Sequence, residues 1–239
     1  MVLHMKNSQI FRYAFIKTIP VLCGYLFLGI AFGILLENAG YGVSWAFLIS
    51  LVVYAGSMQF VMVTFLTGGT SLLTVALMTL SINSRHMFYG LSFVEKFKKM
   101  GKKGLYMIFS LSDETYSLLC GTKPLEGMDE GKLQFYMSLL DQSYWIIGSV
   151  IGALVGTVLP FDTTGIDFAM TALFVVIFIE QWLSAKSHLP ALIGVGCAIF
   201  SLIIFGKDKF MLPALVGAVI CLMMMEKRIG KKEGEEDAD

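Results

Sequence analysis

The sequence is poor in charged residues: 15% of its 239 residues are Asp, Glu, Lys or Arg, whereas 56% are hydrophobic. A soluble globular domain has about 25% charged and about 45–50% apolar residues. The 19 Phe and 15 Met would overfill the core of a soluble protein of this length. The composition therefore excludes an ordinary soluble domain and indicates an integral membrane protein.

Several other features are absent. The formal net charge is zero, which argues against nucleic acid as a partner, because phosphate binding needs a basic surface. The four cysteines are scattered with no CxxC pair, and the three histidines are too dispersed to indicate a metal site. We therefore expect neither a metal nor a cofactor.

Catalytic motifs are also missing. The polar loop at Gly127–Lys132 lacks the spacing of a phosphate-binding G-x-x-x-x-G-K-[ST] motif, so intrinsic ATP hydrolysis is not expected. The G-x-S-x-G and H-E-x-x-H patterns do not occur. These absences predict a protein that is not an enzyme.

Long apolar stretches predict an all-α, polytopic membrane protein with about seven transmembrane helices and one short re-entrant or broken segment. The short segment is Leu105–Cys120, which is either re-entrant, broken or a tilted span. The predicted crossings are Ile19–Leu36, Val43–Leu66, Leu72–Phe93, Phe135–Leu159, Ile166–Leu183, Leu189–Phe205 and Phe210–Met225. They define an N-terminal segment (1–18), a transmembrane domain (19–226) and a charged, disordered tail (227–239).

The lysines between Lys96 and Lys103 predict a cytoplasmic segment. Three crossings before them would place the N-terminus outside, although Arg12 and Lys17 weakly favour the opposite orientation. The orientation of the N-terminus is therefore open.

Two internal repeats, 19–120 and 135–226, are one interpretation of the glycine and glutamine spacing. Gly29 and Gly33 form a GxxxG pair, which favours close helix contact in lipid. An odd number of crossings in each repeat would make the repeats inverted. The alternative is that glycine is simply frequent in membrane helices. Similar offsets relate the first helix to Gly148, Gly152 and Gly156, and Gln59 to Gln181.

Polar residues within apolar stretches mark the candidate site. Arg85 lies late in the third span, and an arginine at the centre of a membrane helix costs about 2.5–3.5 kcal/mol on insertion scales. We expect it to pair with Asp113 or Glu114, leaving the other acid to exchange a proton. The alternative for Arg85 is that its side chain reaches the membrane interface. Acids near the predicted span ends, such as Asp141, are assigned to the interface or to helix caps.

The candidate residues form two groups. Those for a substrate and proton path, suited to a zwitterionic solute, are Gln59, Asn83, Arg85, His86, Asp113, Glu114 and Gln181. Those for close helix packing or a locally opened helix are Gly29, Gly33, Gly56, Gly148, Gly152 and Gly156.

The order and spacing of several motifs resemble one known family. The motifs are Gly24-Tyr25…Gly29-Ile-Ala-Phe-Gly33, Tyr54-Ala-Gly56…Gln59-Phe60, Asn83-Ser-Arg85-His86…Tyr89-Gly90, Ser112-Asp113-Glu114-Thr115 and Asp167-Phe168-Ala169. This pattern resembles the AzlC-type large subunit (permease) of bacterial branched-chain amino acid exporters.

The resemblance implies export of leucine, isoleucine, valine and residues such as methionine across the cytoplasmic membrane. It also implies a small AzlD-type membrane subunit as partner and energy from the proton motive force. Two alternatives are an intramembrane enzyme that uses His86 with Asp113 or Glu114, and an uncoupled channel.

Overall fold

The computed structural model describes residues 5–158, 168, 175, 178–179, 182–183, 187–206, 210, 213–214, 216–218 and 220–225. Within α4, the side chains of Ser81, Ser84, Arg85, Met87, Phe88 and Leu91 lie outside this description. Every regular element in the described part is a helix, so the predicted all-α class is confirmed. The helices are α1 (Asn7–Asn38), α2 (Val43–Val52), α3 (Gly56–Gly68), α4 (Leu72–Lys98), α5 (Lys102–Phe109), α6 (Asp113–Gly121), α7 (Glu130–Val158) and α8 (Leu189–Phe205).

The chain forms two compact units, and the first contains most of the described helices. It comprises Met1–Val75 and Ile82–Ala169, and the second comprises Ala76–Ser81 and Met170–Asp239. The candidate residues of the described part lie in the first unit.

Glycines allow α1 and α7 to pack backbone against backbone. A Cβ atom added to Gly33 would overlap the carbonyl oxygen of Ser149, and one added to Gly152 would overlap that of Ile30. These neighbours are backbone atoms, so they cannot move aside as a flexible side chain can. Backbone contacts of the same kind, with added Cβ atoms 3.0 Å from their nearest neighbours, occur at Gly29 and Gly148. At Gly156 the nearest neighbour is the side chain of Glu37, at 3.1 Å.

The two packed helices run in the same direction. Towards their N-terminal ends, the rings of Phe11 and Tyr136 have centroids 5.6 Å apart. Further along, the hydroxyl of Thr18 lies 3.0 Å from that of Tyr144, at the middle of α7. Towards their C-terminal ends, a Cβ atom on Gly156 would lie 3.1 Å from Cβ of Glu37. Because the contacts advance along both helices together, α1 and α7 are not related by inversion.

We predict that Gly33→Ala and Gly152→Ala each lower the free energy of unfolding by about 1–3 kcal/mol, because the added methyl group overpacks the α1–α7 contact. Thermal unfolding of the purified protein in detergent would measure the change. Gly24→Ala is the matched control, since a Cβ atom on Gly24 meets nothing within 4 Å. Equal melting temperatures for all three variants would contradict the packing role.

The helices α2 and α3 form a hairpin. Nε2 of Gln59 in α3 donates to Oγ of Ser50 in α2 at 3.3 Å, whereas nine residues of continuous helix would separate these positions by about 13.5 Å. The ring of Phe60 packs 5.9 Å from that of Phe32, in the C-terminal half of α1. The stretch 43–66, predicted as one crossing, therefore turns back after α2.

The helices α5 and α6 form a second hairpin, from the opposite end of the unit. Lys103 lies 5.0 Å from the ring of Phe135, near the start of α7. After α6, the carbonyl oxygen of Lys123 accepts a hydrogen bond from the hydroxyl of Tyr13, near the start of α1. The chain reverses between these contacts at residues 110–112. The short segment predicted from the sequence is thus broken into two helices.

The C-terminal end of α4 lies beside the N-terminal end of α1. Phe97, near the C-terminal end of α4, belongs to one buried cluster with Ile10 of α1. Nζ of Lys96 forms an ion pair with Oε1 of Glu130, the first residue of α7, at 3.0 Å. The lysine-rich segment and the start of α1 therefore lie at the same end. Three predicted crossings between the N-terminus and the lysine-rich segment would place these two at opposite ends. The structure places them at the same end, because 43–66 is a hairpin.

A helix followed by a hairpin occurs twice, in opposite directions: α1 with α2–α3, and α4 with α5–α6. This arrangement has other boundaries than the predicted repeats 19–120 and 135–226. Much of the second predicted repeat lies outside the described residues, so that repeat stays a prediction.

In the first unit several polar side chains are buried and many large apolar side chains are exposed, which is the reverse of the distribution in a soluble protein. Gln59, Thr115 and Asp141 are 0% exposed, whereas Phe27 is 70% and Leu72 is 87% exposed. In water this distribution would be unfavourable at both the core and the surface. Among the described helices, α1 and α7 are long and apolar enough to cross a membrane by length and composition.

The second unit contains α8 and helical residues at 216–218 and 220–225. The ring of His188 stacks on that of Trp182, with centroids 4.1 Å apart. The tail 227–239 lies outside the described residues.

Candidate functional site

The tips of the two hairpins meet beside the middle of α7. The rings of Tyr54, at the first tip, and Phe109, at the second, have centroids 6.3 Å apart. Gln142 of α7 binds both hairpins: its Oε1 accepts from the hydroxyl of Tyr106 at 2.7 Å, and its Nε2 donates to the carbonyl oxygen of Leu51 at 3.2 Å. One amide thus holds both tips.

Gln59 stabilises the first tip from within. Its Oε1 accepts from the backbone N–H of Ala55 at 3.2 Å and from Nε1 of Trp145 at 2.9 Å, while its Nε2 donates to Ser50. The start of a helix leaves backbone N–H groups without intrahelical partners. Gln59 supplies one of these partners and connects α3 to α7, so the structure places this candidate in the scaffold of the site.

Trp145 forms the wall behind the first tip. Its ring lies edge-on to Tyr25 at 5.3 Å and stacked with Phe32 at 6.4 Å. A Cβ atom on Gly56 would lie 3.1 Å from this ring. Gly56 therefore allows α3 to begin against the indole.

The backbone at the first tip is unusual. Tyr54 has φ 40°, and it is the one non-glycine residue with positive φ among the described residues. A bulky residue is uncommon in this conformation. Phe109 packs against the ring of Tyr54, and Gln142 of α7 binds the carbonyl oxygen of Leu51 just before the turn.

We predict that Gln59→Leu lowers the free energy of unfolding by about 1–3 kcal/mol for each buried polar group that it leaves without a partner. Those groups are the indole N–H of Trp145, the amide of Ala55 and the hydroxyl of Ser50. Thr64→Val is the control on the same helix, because the Thr64 hydroxyl is exposed and bonds only its own helix at Val61. Thermal unfolding in detergent would compare the two, and a Thr64→Val loss as large as that of Gln59→Leu would refute the role.

Ser112 organises the second tip. Its Oγ caps α6 by accepting from the backbone N–H of Thr115 at 3.1 Å, and it lies 2.6 Å from the hydroxyl of Tyr25. The same hydroxyl donates to Oε2 of Glu114 at 2.7 Å. Asp113 and Glu114 form the first turn of α6, where negative charge complements the helix dipole.

Asp141 is the acid that sequence reasoning misplaced. Thr115 Oγ1 donates to its Oδ2 at 2.9 Å, and the residue is fully buried. We expected an interfacial or capping role, because the predicted span began at Phe135. The helix begins at Glu130, so Asp141 lies well inside it.

A periodic pattern in α7 could have identified this acid. Four positions of α7 follow one another at i+4, i+3 and i+4, which places them on one helix face. These are the buried residues Gln134, Ser138, Asp141 and Trp145. Tyr25 and Tyr106 were also missed, since a tyrosine within an apolar run carries no polar signal until its hydroxyl has a partner.

The α4 candidates lie close to α6. Tyr89 stacks on Tyr116 with centroids 4.5 Å apart. His86 lies 5.8 Å from Tyr89, and its Nδ1 is 3.2 Å from the carbonyl oxygen of Asn83. The side chain of Arg85 lies outside the described residues, so its ion pair with Asp113 or Glu114 stays a prediction.

Two further expectations concern residues or groups elsewhere. Gln181 lies outside the described residues. Within the described part of the chain, no group of three or more His, Cys, Asp or Glu side chains is placed to hold a metal ion.

The fold and the site define a class of protein. Apolar side chains face outward, polar side chains and two helix breaks are buried, and two helices have the length and composition of membrane spans. Interrupted helices are tolerated at membrane depth where protein surrounds them. These features are those of a helical membrane protein.

The comparisons with known proteins identify the family. The sequence matches the family described as "AzlC protein" over residues 20–159, more than half of the chain. It is 42% identical to the "Branched-chain amino acid transport protein AzlC" of Bacillus subtilis, over 96% of this chain and 92% of that protein. The chain belongs to the AzlC family, as the motifs predicted.

Other relatives carry less specific names. An "Uncharacterized membrane protein" of Haemophilus influenzae is 43% identical over 93% of this chain and 90% of its own length. The "Inner membrane protein YgaZ" of Escherichia coli is 26% identical over 85% of this chain and 84% of its own length. No solved structure matches the chain.

Proposed function

We propose that this protein is a secondary transporter that exports branched-chain amino acids across the cytoplasmic membrane, coupled to the proton motive force. The observation that carries the proposal is the meeting of two opposed hairpins at a buried polar layer. Transporters commonly place their substrate site near the bilayer midplane, between discontinuous helices. The name of the Bacillus subtilis relative supplies the substrate class.

The proposed topology has both hairpins re-entrant and α1, α4 and α7 crossing the membrane. The lysines at 96–103 then lie in the cytoplasm, as the positive-inside rule requires, and the start of α1 lies with them. The three later predicted spans would return the tail to the cytoplasm. This gives six crossings and two re-entrant hairpins, and it places the basic residues at the beginning of the tail on the cytoplasmic side.

A zwitterion suits the chemistry of the hairpin tips. The N-terminal ends of α3 and α6 carry partial positive charge, which favours a carboxylate, as Arg85 would. Glu114 or Asp113 would hold the ammonium group. The aromatic rings of Tyr54, Phe109 and Trp145 provide apolar surface for a branched side chain.

A small AzlD-type membrane subunit is the proposed partner, as the family resemblance implies. The outward-facing apolar side chains of the described helices offer surface to either lipid or such a subunit. Purification of the chain from cells with and without the small subunit, followed by reconstitution of each preparation, tests whether transport needs both.

Counterflow in proteoliposomes that contain this protein together with the small subunit tests the function. With excess leucine inside, we expect labelled leucine to accumulate transiently above its external concentration, and unlabelled isoleucine, valine and methionine to compete. Lysine and aspartate are matched competitors that should have no effect, because a buried charged side chain without a partner is costly.

The outcomes separate the alternatives. Equilibration without an overshoot would indicate a channel, and conversion of leucine to another compound would indicate an enzyme. Counterflow together with net transport that ignores a pH gradient would retain the transporter and remove the proton coupling.

A further inference from the structure

Three hydroxyl groups connect two carboxyl groups in an unbroken chain of contacts. Oε2 of Glu114 lies 2.7 Å from the hydroxyl of Tyr25, which lies 2.6 Å from Oγ of Ser112. Ser112 Oγ lies 3.0 Å from Oγ1 of Thr115, and Thr115 Oγ1 lies 2.9 Å from Oδ2 of Asp141. This hydrogen-bond chain joins α1, α6 and α7.

The number of hydrogens in this hydrogen-bond chain decides whether both carboxyl groups can be ionised. Four contacts join five groups, and each hydroxyl group has only one hydrogen to donate. If both carboxyl groups are ionised, three hydrogens serve four contacts, and two oxygens face each other without a hydrogen between them. A single proton on either Glu114 or Asp141 supplies the fourth hydrogen.

Two arrangements satisfy every contact. With the proton on Glu114, each group donates towards Asp141, in the order Glu114, Tyr25, Ser112, Thr115. With the proton on Asp141, every hydrogen bond points the other way. The backbone N–H of Thr115 also donates to Ser112, which leaves the count of hydroxyl hydrogens unchanged.

The two ends of the chain differ in burial. Glu114 is partly exposed, whereas Asp141 is fully buried. Oδ1 of Asp141 has no hydrogen-bond partner among the described residues. An ionised carboxylate in such a place is costly unless a cation approaches it. The ion pairs formed between described residues lie elsewhere, at Lys96–Glu130, Lys98–Glu95 and Lys132–Asp129.

Other ionisable groups surround the hydrogen-bond chain from Glu114 to Asp141. The described ones in electrostatic contact with either acid are, besides Tyr25, the acid Asp113 on α6 and the phenols Tyr54, Tyr106 and Tyr144. Helix α4 contributes Tyr89 and His86 near Tyr116, and it carries Arg85, whose side chain lies outside the described residues.

We infer that Glu114 and Asp141 share one proton through Tyr25, Ser112 and Thr115, and that this chain is the proton carrier of the transporter. The second half of this inference rests on the proposed function. In one transfer Glu114 loses a proton and Asp141 gains one, while each hydroxyl group gives one proton and takes one. No other reactant is needed. The carrier thus uses Glu114 together with Asp141, an acid outside the site that the sequence predicted.

Infrared spectroscopy of the purified protein tests the shared proton without any transport. At neutral pH the wild type should show the C=O band of one protonated carboxyl group. Asp141→Asn should lose it, because the new amide N–H supplies the fourth hydrogen and the partly exposed Glu114 can ionise. In Glu114→Gln the buried Asp141 should keep the proton, and its band should shift in frequency because the proton is no longer shared with Glu114. Asp113→Asn is the matched control on the same helix turn, and it should keep the band.

The infrared result can overturn the inference directly. Absence of the band from the wild type, its persistence in Asp141→Asn, or an unshifted band in Glu114→Gln would show that these acids do not share a proton. If Asp141→Asn is not monodisperse, a shifted band in Glu114→Gln against an unshifted band in Asp113→Asn decides whether the proton is shared.

Proteoliposomes test the carrier. A pH-sensitive dye would report proton movement during net leucine transport, and counterflow of labelled leucine would report exchange. Relative to counterflow, proton movement should fall at least tenfold in Thr115→Val and remain near the wild-type ratio in Thr115→Ser, which keeps the hydroxyl group. An unchanged ratio in Thr115→Val would overturn the carrier.

The remaining outcomes are also decisive. If Thr115→Val shows no counterflow, the ratio is measured for Tyr25→Phe, which removes another hydroxyl group and keeps the ring. Wild-type counterflow without proton movement would overturn the carrier and leave the proposed transport function standing. Failure of wild-type counterflow would refute the proposed function, while the infrared result would still decide whether the proton is shared.

Discussion

The close contact between α1 and α7 is the constraint on which the rest of the first unit depends. Glycines on both helices bring the backbones together, and Tyr25 and Trp145 then pack against each other across the contact. Both hairpins are built on these side chains. A larger residue in the contact would separate Tyr25 from Asp141 and Trp145, so a packing feature far simpler than the site determines the geometry of the site.

The hairpin tips show how an interrupted backbone is tolerated in a buried place. Free N–H groups at a helix start are costly away from water. At the first tip the side chain of Gln59 supplies a partner, and at the second tip the side chain of Ser112 does so. Both residues also bind other helices, Gln59 through Trp145 and Ser112 through Tyr25. The groups that cap the helices are thus the same groups that assemble the site.

Composition and motif spacing were sufficient to predict the helical class and the family. The reversal at 53–55 was not predictable from hydropathy, because two half-helices and one full helix have the same apolar composition. The hydropathy of the sequence does not indicate the buried position of Asp141, because the polar start of α7 has the composition of a loop. Tyr25 was missed for a different reason: its role depends on Ser112 and Glu114, which are distant in sequence and meet only in the folded chain.

The amide of Gln142 has a mechanical consequence. It holds the second hairpin through Tyr106 and the first through the backbone of Leu51, and the two hairpins start from opposite ends of the unit. A tilt of either hairpin must stretch one of these two hydrogen bonds, and a turn of the amide that follows one hairpin pulls on the other. Hairpins that start from opposite ends of the first unit are therefore connected through a single side chain.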